Sequence, residues 1–81
     1  MTNPDDILAQ IDVLTQAIAT NPDAPTLYFE RGKLYWKIGN RAGAITDYNT
    51  AISLDPSSPA RAHLDMANDI LNFYNTDLYN P

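Results

Sequence analysis

Apolar residues recur with a helical period in four stretches of the chain, and turn-forming clusters separate them. Ile7, Ile11, Leu14 and Ile18 follow one another at spacings of four and three, with Leu8 and Ala17 widening the stripe, until Asn21-Pro22-Asp23 breaks it. Asn3 suits an N-cap, Pro4 the first helical position, and Asp5 with Asp6 the positive end of the helix dipole. These features predict a first helix over about 4–20. The second, about 24–38, is of another kind. At about 100° per residue, Leu27, Tyr28, Phe29, Gly32, Leu34, Tyr35, Trp36 and Ile38 cover most of its circumference, and only Glu30, Lys33 and Lys37 form a clean polar strip. So broad an apolar arc needs neighbours on two sides. Gly39 suits the left-handed C-cap that ends it and Asn40 the next N-cap.

The third helix, about 41–54, sets Ala44, Ile45, Tyr48, Ala51 and Ile52 toward a core and Thr46, Asp47, Asn49, Thr50 and Ser53 toward solvent. Asp55-Pro56-Ser57-Ser58-Pro59 stops it and starts a fourth, about 58–75, because serine caps a helix that opens on proline. Ala60, Leu64, Ala67, Leu71, Tyr74 and Leu78 form an inward seam there. Met66, Ile70 and Phe73 form a second seam that no later helix covers, since the tail 76–81 is polar and turn-rich.

The chain also matches itself at an offset of 34 residues: Ile11 falls on Ile45, Ala17 on Ala51, Ile18 on Ile52, Pro22 on Pro56 and Pro25 on Pro59. A period of this length marks stacked helix pairs that bury their apolar faces only against one another. Counted from Pro25, Tyr28, Gly32, Tyr35, Ala44, Tyr48, Ala51 and Pro56 stand at the signature places of the tetratricopeptide repeat (TPR), which residues 25–58 resemble. Helix one resembles the second helix of a preceding unit and helix four the first helix of a following one. The fold implied is all-α: antiparallel helix pairs stacked as a short right-handed superhelical array of four helices, one domain over 1–81. Two residues depart from the pattern, Arg31 at a place usually held by leucine and Arg41 at one usually aromatic, so that either the packing there is looser or the long stems lie over apolar surface.

Composition narrows the function. Hydrophobic residues make up 44% of the 81 residues, enough for one small domain, and without cysteine neither disulfides nor thiolate metal sites are available. The acidic start argues against a signal peptide, and no apolar run approaches the roughly 20 residues of a membrane span, so a soluble cytoplasmic protein is expected. A net charge of -5 disfavours nucleic acid and anionic membranes. Arg31, Lys33, Lys37 and Arg41 nevertheless lie within eleven positions, either as a local positive patch or as a solvated face paired with nearby acids.

Nothing in the chain has the pattern of catalysis or metal binding. His63 is the sole histidine and reads as a surface residue; Asp65 and Asp69, four apart, lack the further ligands that a cation needs. No cofactor and no enzymatic activity are expected. In the family resembled, the first helix of each unit lines a groove, which implies that Phe29, Lys33, Trp36 and Lys37 bind a peptide or protein that is acidic or carries a free C-terminus. Core packing between helices two and four is the competing reading for Phe29 and Trp36. The alternative function is a structural, self-associating element, a homodimer formed through Met66, Ile70 and Phe73 of helix four.

Overall fold

The computed structural model describes the backbone of residues 3–74 and the side chains of residues 3–70. Its elements are α1 (Pro4–Thr20), α2 (Pro25–Lys37), α3 (Arg41–Leu54) and α4 (Ala60–Tyr74), with no strand among the described residues. Each helix packs on the next in sequence, most extensively α2 on α3, which is the connectivity of a short stacked all-α array.

The helix ends follow from local chemistry. Asn3 Oδ1 accepts the Asp6 N–H at 2.9 Å, and Pro4 takes the first helical position, where its missing donor costs nothing. α2 begins one residue later than its hydropathy pattern, since Ala24 stays extended ahead of Pro25. At its other end Gly39 takes a left-handed φ of +84°, and the N–H groups of Gly39 and Asn40 donate back to the Trp36 and Tyr35 carbonyls. Asn40 then caps α3 by accepting the Gly43 N–H at 3.0 Å. Between α3 and α4, the Ser57 hydroxyl and N–H both donate to Asp55, which holds that carboxyl below its ordinary range. Ser58 is buried with its hydroxyl accepting the Ala60 N–H, so α4 starts at Ala60, two residues inside the predicted stretch.

The core gathers where α2, α3 and α4 meet: Ala44, Tyr48, Ala51 and Ala60 are buried, with Tyr28, Phe29, Tyr35, Trp36, Ile52 and Leu64 packed around them. Small residues let the backbones approach. A Cβ on Gly32 would lie 2.7 Å from Tyr48 Cε1, so Gly32 is the point where α2 crosses the Tyr48 ring. Ile7 and Ile11 bury the α1 stripe. In α4 the seam through Ala60 and Ala67 faces inward, while Asp65 and Asn68 stay exposed.

One face of α3 differs from its hydropathy reading. Asp47, expected on the solvent side, is only 2% exposed. Its carboxylate receives Arg31 Nε and Nη2 in two bonds of 2.8 Å, a bidentate pair joining α2 to α3. Arg31 Nη1 also donates to Thr15 Oγ1 of α1 at 3.2 Å, and the guanidinium carbon lies 5.9 and 5.6 Å from the Tyr28 and Tyr35 ring centroids. The arginine at a leucine place thus ties three helices together, and the hydrogen bonds to Asp47 hold its proton more firmly still.

Candidate functional site

α2 presents a different chemistry on each side. Gly32 faces Tyr48 of α3. Phe29 and Trp36 turn toward α4: the Phe29 ring meets His63 edge-on at 5.0 Å and Tyr48 at 6.3 Å, and Trp36 lines a small cavity of about 230 Å³ with Tyr48, His63, Met66 and Ala67. Both aromatics are half-buried, packed against the core yet partly open. Lys33 continues the same strip, its Nζ 4.7 Å from the Phe29 centroid and 3.2 Å from Glu30 Oε2. Lys37 is exposed. On the side facing α1, Glu30, Lys33, Leu34 and Lys37 join Ala9, Gln10, Val13 and Leu14 around an open cavity of about 540 Å³. Its floor is apolar and its rim carries the two lysines.

The basic cluster therefore divides. Arg31 is held by Asp47 and Arg41 lies with its guanidinium 5.4 Å from the Trp36 ring centroid, while Lys33 and Lys37 remain on the open side. The guanidinium of Arg41 covers an aromatic where the repeat pattern has another aromatic.

The tetratricopeptide repeat family model matches residues 25–58, the span that contains α2, α3 and the Gly32–Tyr48 crossing. Residues 25–58 are a tetratricopeptide repeat. The chain is also 42% identical over 53 residues to the Protein SGT1 homolog of Oryza sativa subsp. japonica, a match that covers 65% of this chain and 14% of that protein. No solved structure matches significantly. Tetratricopeptide repeats in general bind proteins or peptides, and the chain spans only about a seventh of the length of this relative.

Around the repeat, the structure places the remaining residues singled out by the sequence. His63 is not a surface histidine: it is half-buried between Phe29 and Tyr48, its ring 5.0 and 5.7 Å from theirs. A hydropathy pattern treats histidine as polar, so its role as an aromatic filler was invisible there. Met66 is 62% exposed and Ile70 half-buried, while the side chains of Leu71, Phe73 and Tyr74 lie outside the described residues, as do Leu78 and the tail. Among the described residues no group of three metal-ligating side chains comes together, and no helix is long and apolar enough to cross a membrane.

Tyr48 also makes the repeat sensitive to alkali. Burial, and secondarily the neighbouring Asp47 charge, pushes its phenol above the usual tyrosine value of about 10. A raised folded-state pKa means that the stability tied to the neutral phenol is complete below about pH 10 and is lost as pH rises through the folded value. Thermal unfolding from pH 8 upward should show melting temperature falling above about pH 10, with a shallower fall in Tyr48→Phe. Equal slopes in both proteins would remove Tyr48 as the cause.

Proposed function

We propose that the chain is a non-catalytic, cytoplasmic interaction module that holds a protein segment bearing acidic side chains or a free C-terminal carboxylate against α2. Phe29 and Trp36 supply partly open aromatic surface, and Lys33 and Lys37 supply the charge. The observation that carries this reading is the placement of the half-buried Lys33, 4.7 Å from the Phe29 centroid, with the exposed Lys37 one turn further along α2. An ammonium beside an aromatic face suits a carboxylate whose aliphatic part packs on the ring. Glu30 lies against Lys33, so an incoming carboxylate competes with an exposed pair of modest strength, within about 1 kcal/mol.

The test is selection from a displayed library of peptides with free C-termini, followed by titration monitored by the fluorescence of Trp36, the sole tryptophan. Acidic sequences should be enriched. Their affinity should fall about tenfold or more in Lys33→Ala/Lys37→Ala and weaken as salt is raised. Enrichment of apolar or basic peptides, or binding indifferent to the double substitution, would refute the assignment.

A second reading, a self-associating element that uses the α4 strip of Met66, Ile70 and Phe73, is favoured by Met66 at 62% exposure.

A further inference from the structure

The open cavity between α1 and α2 has a filled counterpart one repeat further along. α2 itself lies in that counterpart, where the Phe29 ring meets His63, Arg31 pairs with Asp47, Gly32 crosses Tyr48, and Trp36 shares a small cavity with Ala67. Moved back by the repeat period of 34 residues, His63, Asp47, Tyr48 and Ala67 become Phe29, Val13, Leu14 and Lys33. The last three line the open cavity of about 540 Å³, and Lys33 leans over the Phe29 ring at 4.7 Å. The wall is therefore shaped for a helix that runs as α2 runs, and its side chains set what that helix must carry.

Each of the four places makes one requirement. Phe29 needs an apolar residue opposite it. Val13 stands where Asp47 binds Arg31, but it is 66% exposed and carries no charge, so an apolar residue is required two positions on. Leu14 stands where the Tyr48 ring would lie 2.7 Å from a Cβ; leucine is the shorter side chain, so the next position takes a small residue such as alanine or serine. Lys33 replaces the buried Ala67, and its ammonium requires an acid four positions further, with Lys37 one turn on taking a second. Glu30 against Lys33 and Lys37 leaves the lining net positive, in a chain whose net charge is -5.

We propose that the cavity between α1 and α2 receives an acidic amphipathic helix of another protein, which carries apolar, apolar, small and acidic residues at the spacing of Phe29, Arg31, Gly32 and Trp36. The inference rests on the acidic-partner reading above and adds the partner's conformation and its seat. A second copy of this chain does not meet the requirement. In the same register its α4 would offer Asp65 to Val13, Met66 to Leu14 and Ile70 to Lys33, which sets a charge on the apolar wall, bulk at the close crossing and an apolar residue on the ammonium.

The probe is a fluorescein-labelled synthetic peptide of about 18 residues, long enough for five helical turns, with leucine, leucine, alanine and glutamate at those places, a second glutamate one turn on, and helix-favouring residues elsewhere. Its ends are acetylated and amidated, so no free carboxylate contributes. Titrated with the full chain and followed by anisotropy, it should bind. Affinity should fall about tenfold or more in Val13→Arg, whose fold is verified by far-UV circular dichroism, and equally when proline replaces the peptide's alanine and breaks its helix. A matched peptide that does not bind overturns the inference, as does binding unchanged by Val13→Arg or by the proline. Acidic peptides that weaken in Lys33→Ala/Lys37→Ala but not in Val13→Arg leave the proposed function standing and overturn this seat. Indifference to all three substitutions removes both.

Discussion

Arg31→Met is expected to remove a large share of the fold's stability. The substitution leaves the Asp47 carboxylate buried, its side chain 3% exposed, with its two 2.8 Å donors gone. Removing one partner of such a pair costs about 3–5 kcal/mol. A domain of this size has about 4–12 kcal/mol in total. The same substitution breaks the Thr15 contact, so α1 loosens together with the α2–α3 junction. Replacing both partners tells a different story: Arg31→Met/Asp47→Leu puts apolar groups into the space without a stranded charge and should recover stability to within about 1–2 kcal/mol of wild type. Urea denaturation of the two single variants and the double variant measures the coupling. Additive losses would mean that the pair lies outside the cooperative core.

The second large effect concerns the helix crossing. Gly32→Ala improves helix propensity by about 1 kcal/mol. Against that, the added carbon would sit 2.7 and 2.9 Å from two Tyr48 ring atoms and 3.2 Å from Asp47 Cβ. The ring cannot swing aside freely, because Phe29 and His63 pack on it. Overpacking of this kind costs about 1–3 kcal/mol, so a net loss is expected where propensity alone forecasts a gain. Gly32→Ala/Tyr48→Leu should lose less than the sum of its single variants, because leucine yields the space that alanine requires. A Gly32→Ala variant more stable than wild type would show that the two helices stand further apart.

These effects also mark where pattern reading succeeds and where it stops. The caps at Asn3 and Asn40 and the left-handed Gly39 follow from local chemistry, since a short polar side chain or a missing Cβ acts within its own turn. The Gly32 crossing was legible through the 34-residue register. Asp47 was not, because a hydropathy pattern counts every carboxylate as solvent-facing. Its angular position gave a signal all the same: at 100° per residue it lies about 40° from Ala51, on the edge of the apolar arc. Arg31, a cation at a core place sixteen residues earlier, was the other half. His63 was missed for a similar reason, as its ring serves as an aromatic filler. Among the groove residues, it was the resemblance to the repeat family, not the hydropathy pattern, that implied Phe29, Lys33, Trp36 and Lys37 as one groove-side set. Their division between the α4 side and the α1–α2 cavity depends on neighbouring helices, and no single-helix projection contains them.

The account turns on α2 being closed against α3 along Gly32 and open along Lys33 and Lys37. Nuclear Overhauser contacts on the isotope-labelled protein test this most directly. Cross-peaks should connect the Gly32 α-protons, shifted upfield by the aromatic ring, with the ring protons of Tyr48, and none should connect the Lys33 or Lys37 side chains with α3. Missing Gly32–Tyr48 contacts, or lysine contacts to Tyr48, would place the wrong face of α2 in the core and contradict the proposed binding strip.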